Sequence, residues 1–230
     1  MSTNIVDTLI AKYEEKFTES ISHPLTNELC QGTLPDYKLF TYLVQDLKFF
    51  NIGLNLFGKV LALCDDPQPS IVLGKQIGFV SNDENDYFYK CLSELKEESL
   101  DDIKTKVSPM LEEPALTLPA VQKYLDFLNY LIFDCQSYVE LITTMYVLEK
   151  VYLGWVEYNE HRIPSDLPYK HSEWIKLHGG PDFTKWVQFL KDEVIRVTKT
   201  DEDRKISEQA FVAALQHEIE FFNACYEYST

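Results

Sequence analysis

The sequence predicts an all-α protein, a helical bundle of long helices with short connections. Three observations lead there. Apolar residues recur at helical spacing over most of the chain. No alternating strand pattern persists, and the 8 glycines and 10 prolines fall mostly between the periodic segments. With 230 residues, 45% hydrophobic and 13% aromatic, the chain can fill a substantial core, and it reads as a single helical domain over 1–230.

Taken in order, residues 5–21 carry Ile5, Leu9, Tyr13 and Phe17, an i, i+4 stripe, and His23-Pro24 breaks the pattern. Pro35-Asp36 opens a long helix to about Cys64, which Asp65-Asp66-Pro67 ends. Further helices are expected over about 69–80 and over 85–97. The charged run ELKEESLDDIKTK reads as a solvated helix or turn, and MLEEPALTLP, with two prolines, as a linker. Residues 118–133 and 136–158 are strongly apolar and helical. A short helix is expected over 168–177, then the loop HGGPDF with Pro181 suited to a first helical turn. Residues 183–197 and 202–228 form the closing helices.

Charge narrows the partners. Against 21 basic residues stand 37 acidic ones, a net charge of -16. Such a surface repels phosphate backbones and anionic lipid, so neither nucleic acid nor a membrane surface is an expected partner. There is no run of about 18 uncharged apolar residues to span a bilayer, and MSTNIVDTLIAKYEEKF has neither a basic start nor a long apolar core. Five scattered cysteines without a CxxC fit reduced thiols in a cytoplasmic protein.

GxGxxG, GxxxxGK[ST], HExxH and GxSxG are all absent. Glu157 and His161 have i, i+4 spacing, but they read more simply as an exposed pair near a helix end, and no metal site is expected. The informative residue is Asp46, inside TYLVQDLKFF. It shares a helix face with Tyr42, Leu43, Phe49 and Phe50, so its carboxylate points inward with the aromatics. A lone buried carboxylate is costly unless something compensates it. Glu218 repeats the oddity, sharing a face with Ala214, Leu215, Phe221, Phe222 and Cys225. Two inward acids on two long helices suggest a pocket for a flat, nitrogen-rich ligand, with aromatic faces filling the rest.

HPLTNELCQGTLPDYKLFTYLVQDLKFF, residues 23–50, closely resembles the opening of the TenA family, whose thiaminase II members act in thiamin salvage. Glu218 within HEIEFFN resembles the family's Glu-x-x-Phe-[Trp/Phe]-[Asp/Asn] signature, and SEWIKLHGGPDF its Trp-Ile-x-x-Tyr segment. The resemblance implies a haem-oxygenase-like helical bundle, a homo-oligomer (tetramer or dimer), an aminopyrimidine ligand and no cofactor. It implies that Asp46 contacts the ligand's amine, that Phe49 stacks on the ring and that Tyr124 lines the pocket beside Tyr42 and Tyr146. Glu218 becomes the acid/base at the scissile bond. Family members with a nucleophilic cysteine carry it on the central helix; here the matching stretch ELITTMYVLEKVY offers Thr143, Thr144 or Met145. A cysteine-less branch of the family leans on paired carboxylates, and Glu149 is a candidate second acid or a surface residue. The pocket tyrosine could fall at Tyr169, or His171 could take its place. The expected function is hydrolysis of a C–N bond on an aminopyrimidine, or else binding of that ring without turnover.

Overall fold

A computed structural model describes residues 4–230. Among these, every regular element is helical and there is no strand. The helices are α1 Ile5–Lys12, α2 Glu14–Ile21, α3 Pro24–Gln31, α4 Asp36–Leu63, α5 Pro67–Phe79, α6 Asn85–Glu98, α7 Leu100–Val107, α8 Pro119–Phe133, α9 Tyr138–Asn159, α10 Tyr169–Leu177, α11 Gly180–Val197 and α12 Asp201–Glu227. None of the described helices is long and apolar enough to cross a membrane.

Local chemistry sets most boundaries. Asn4 caps α1 by accepting from the Asp7 amide, Ser137 caps α9 from the Glu140 amide, and Thr200 with Asp203 forms a reciprocal capping box on α12. The periodic segment 5–21 is two helices. They part at Tyr13, whose hydroxyl bonds Glu208 and whose ring lies 6.2 Å from that of Phe211 on α12. His23-Pro24 does more than break a pattern. His23 Nδ1 accepts from the Leu25 amide, Pro24 occupies the first turn, and a new helix, α3, begins there. Gly32 ends it at φ 69°, in the left-handed region, where a Cβ would sit 2.5 Å from Leu167 Cδ2.

α4 runs 28 residues, so it spans about 42 Å. With α8, α9 and α12 it frames the core, and α9 is enclosed by α2, α3, α4, α11 and α12. That enclosure explains why Leu141 through Leu148 are buried without a break. A π-helical turn, Val80–Glu84, joins α5 to α6. The charged run is less solvated than expected, because α7 turns Ile103 and Val107 into the core. The linker before α8 is held by Gln45, whose Nε2 donates to the Leu116 carbonyl at 2.8 Å while its Oε1 accepts from the Leu118 amide at 3.0 Å.

Candidate active site

The frame leaves a cavity of about 80 Å³ unfilled, with room for several waters and so for one small planar ring. Asp46, Phe49, Phe50 and Phe57 come from α4; Met145, Leu148, Glu149 and Tyr152 from α9. Phe88 of α6, Trp174 of α10, His178 just after it, and Glu218 of α12 complete the polar and aromatic wall. Asp46 and Glu218, far apart in sequence, thus face one hollow. Another, larger groove of about 420 Å³ runs past Phe79, Phe183 and Trp186. Its acids are Glu173 and Asp182, which pair with Lys176 and Lys185 at the surface, so it lacks convergent buried acids.

Each acid is held differently. A hydrogen-bond chain crosses three helices towards Asp46: Trp174 Nε1 donates to the Tyr42 hydroxyl at 3.1 Å, Tyr42 to Tyr152 at 3.2 Å, and Tyr152 to Asp46 Oδ1 at 3.4 Å. Burial raises the Asp46 carboxyl to about 7, with the Tyr152 bond pulling the other way. Glu218 accepts from the Tyr124 hydroxyl at 2.6 Å through Oε1, while Oε2 is buried without a partner. Burial pushes Glu218 to about 8, the Tyr124 bond opposes this, and Asp46 and Glu149 add to it. Glu149 is raised to about 7, again by burial. The Trp186 indole N–H lies close enough to lower it somewhat but makes no hydrogen bond of proper geometry. Three carboxyl groups poised near neutrality, among aromatic rings, can share acid and base duties.

Phe49 and Glu149 are on the cavity wall. Tyr42 and Tyr124 stand one layer behind it, Tyr42 bonding Tyr152 and Tyr124 bonding Glu218. Tyr124 also packs on Phe49 at 5.2 Å between ring centroids. Tyr146 is buried in the core and does not line the cavity. Neither Tyr169 nor His171 lines it; Tyr169 packs on Tyr87 at 6.1 Å and His171 is sealed in the core. Counting along Trp-Ile-x-x-Tyr from Trp174 puts His178 at the last position, and it is His178 that reaches the cavity. Thr143 bonds Ser207 at 3.0 Å, Thr144 is buried, and of the three positions matched to the nucleophile only Met145 faces the cavity. None of the five cysteines lines it.

The family model described as TENA/THI-4/PQQC matches residues 10–228. The chain belongs to this family. No curated protein matches it significantly in sequence. Among solved structures, a TenA family transcription regulator from Silicibacter sp. TM1040 superposes with a TM-score of 0.77 at 15% identity, over 97% of this chain and 96% of that one. A protein from Sulfolobus solfataricus, named provisionally as a TenA-like thiaminase, gives 0.69 at 18% identity, over 96% and 94%. A domain from Shewanella denitrificans with a haem-oxygenase-like fold gives 0.71 at 14% identity, over 96% and 92%. These likenesses establish the haem-oxygenase-like fold of this TENA/THI-4/PQQC family member.

Proposed function

We propose that the protein is a TenA-like aminopyrimidine hydrolase that uses carboxyl groups in place of a cysteine nucleophile. The observation that carries this reading is the convergence of Asp46, Glu149 and Glu218, from three helices, on one aromatic cavity. Asp46 holds the ring and its exocyclic amine. Protonated Glu218, steadied by Tyr124, gives its proton to the leaving amine as the C–N bond breaks. Ionised Glu149 takes a proton from the attacking water as the C–O bond forms. Water is a weaker nucleophile than a thiolate, so turnover is slow. The absence of a thiol at the cavity wall also favours a second reading, in which the protein binds the ring and does not turn it over.

Thermal unfolding with 4-amino-5-hydroxymethyl-2-methylpyrimidine, and with amino- and formylamino-substituted analogues, tests both readings. Both expect stabilisation; only the first expects product. Asp46→Asn is expected to keep the fold and lose the ligand-induced shift. No shift for the wild type at millimolar ligand refutes both readings, and an undiminished shift in the variant refutes the role of Asp46.

A further inference from the structure

Two groups beside the cavity are each short of a partner. Of the three acids on its wall, Asp46 has the Tyr152 hydroxyl and Glu218 the Tyr124 hydroxyl. Glu149, the third, has the Trp186 indole N–H beside it, and the two do not meet in proper geometry. That N–H is itself sealed from solvent with no acceptor, on a residue only 5% exposed. A buried donor left unpaired is costly and uncommon.

Packing keeps the indole from seeking an acceptor elsewhere. Its ring stacks on Phe57 at 6.0 Å between centroids and on Phe189 at 5.5 Å, each at an interplanar angle of 20°. Phe57 is on the cavity wall, whereas Trp186 lines the outer groove, so Trp186 stands in the partition between the two hollows. Its helix, α11, packs along α9, which carries Glu149. The last torsion of a glutamate side chain is soft, so the carboxyl turns towards a donor at little cost.

We propose that the Trp186 indole N–H donates a hydrogen bond to Glu149 once that carboxyl ionises, which makes Trp186 a positioning residue for the base. This deepens the hydrolase reading above and rests on it for the role of Glu149. The partners of the three acids differ in kind. A tyrosine hydroxyl donates to a carboxylate or accepts from a carboxylic acid, so Tyr152 and Tyr124 can serve either form. An indole N–H only donates, so it favours the carboxylate. The negative charge held on Glu149 in turn raises Glu218 across the same hollow and helps to keep it protonated as the acid. The indole keeps its own hydrogen throughout, and the bond loosens when Glu149 takes the proton of the attacking water.

The test uses the free protein with ¹⁵N in its indole rings, titrated by NMR from pH 5 to pH 9. The chain has 3 tryptophans, and the Trp186 signal is the one lost in Trp186→Phe. It is expected to move downfield as pH rises, with a midpoint of about 7, the value to which burial raises Glu149. The other titratable groups on the wall are Asp46 of α4, Glu218 of α12, Tyr152 of α9 and His178, which burial lowers to about 4 and so keeps neutral throughout. The movement is expected to persist in Asp46→Asn and to vanish in Glu149→Gln. In Trp186→Phe, which keeps a ring in the stack, the ¹³C signal of the Glu149 carboxyl is expected to titrate about 1 to 2 pH units higher. A ring that only fills space leaves that midpoint in place. An indole signal flat with pH, a titration that survives in Glu149→Gln, or an unmoved carboxyl midpoint overturns the proposal. No ligand is used, so such a failure leaves the aminopyrimidine reading standing, and failure of that reading shows separately as an absent thermal shift. If Trp186→Phe does not fold, the titration of the wild type against Glu149→Gln still decides.

Discussion

Replacing Glu218 by glutamine is expected to stabilise the protein, and increasingly so as pH rises. Burial raises this carboxyl from 4.5 to about 8. Between those two values the folded chain keeps a proton that the unfolded chain has released. Wild-type stability therefore falls as pH rises through the window, by about 1.36 kcal/mol per unit. A displacement of about 3.5 units corresponds to about 5 kcal/mol at pH 9, and roughly 3 kcal/mol of it is already expressed at pH 7. Water admitted to the cavity reduces this, so a gain of about 2–5 kcal/mol is expected. The glutamine keeps an Oε1 for the Tyr124 hydroxyl, and its amide sits where Oε2 now has no partner. Burying that amide adds a cost that does not change with pH, so the slope is the quantity to read. Urea unfolding of both proteins from pH 5 to pH 9 supplies it, because the surface carboxylates contribute equally to both and cancel. A difference that is flat with pH, or that changes by less than about 1 kcal/mol between pH 5 and pH 9, would refute the claim that burial holds Glu218 as a neutral acid.

Two further outcomes follow from the same structure. Tyr124→Phe removes the 2.6 Å bond to Glu218, which now favours the ionised form, so the alkaline limb of a pH–rate profile, where Glu218 loses its proton, moves to higher pH; an unmoved limb separates Tyr124 from the acid. Gln45→Ala leaves the Leu116 carbonyl and Leu118 amide without their side-chain partner and opens a void at a fully buried position, costing about 3 kcal/mol by urea unfolding; a loss under 1 kcal/mol counts against the clamp.

Much of the fold can be read from the chain because each long helix carries its own stripe and its own stop. α4 begins at the Asp36 and ends within a residue of the Cys64 expected from Pro35-Asp36 and Asp65-Asp66-Pro67. α3 is harder to read, since a proline that breaks one helix and a proline that starts the next look alike until the His23 cap is seen. The division at Tyr13 has no local breaker, and it coincides with contacts to α12.

Asp46 and Glu218 could be singled out because each is an acid among apolar residues on one helix face. Glu149 and Tyr146 could not be sorted in that way. α9 is surrounded, with apolar neighbours on every side, so periodicity there no longer distinguishes one face from another. The order of residues thus determined the helices, the haem-oxygenase-like class through its motifs, and two inward acids. Only the packing decided that Glu149, Tyr152 and His178 share the hollow and that Tyr146 does not. The physical reason is that a sequence encodes which face of a helix leaves water, whereas a cavity forms where the neighbouring helices fail to fill that face.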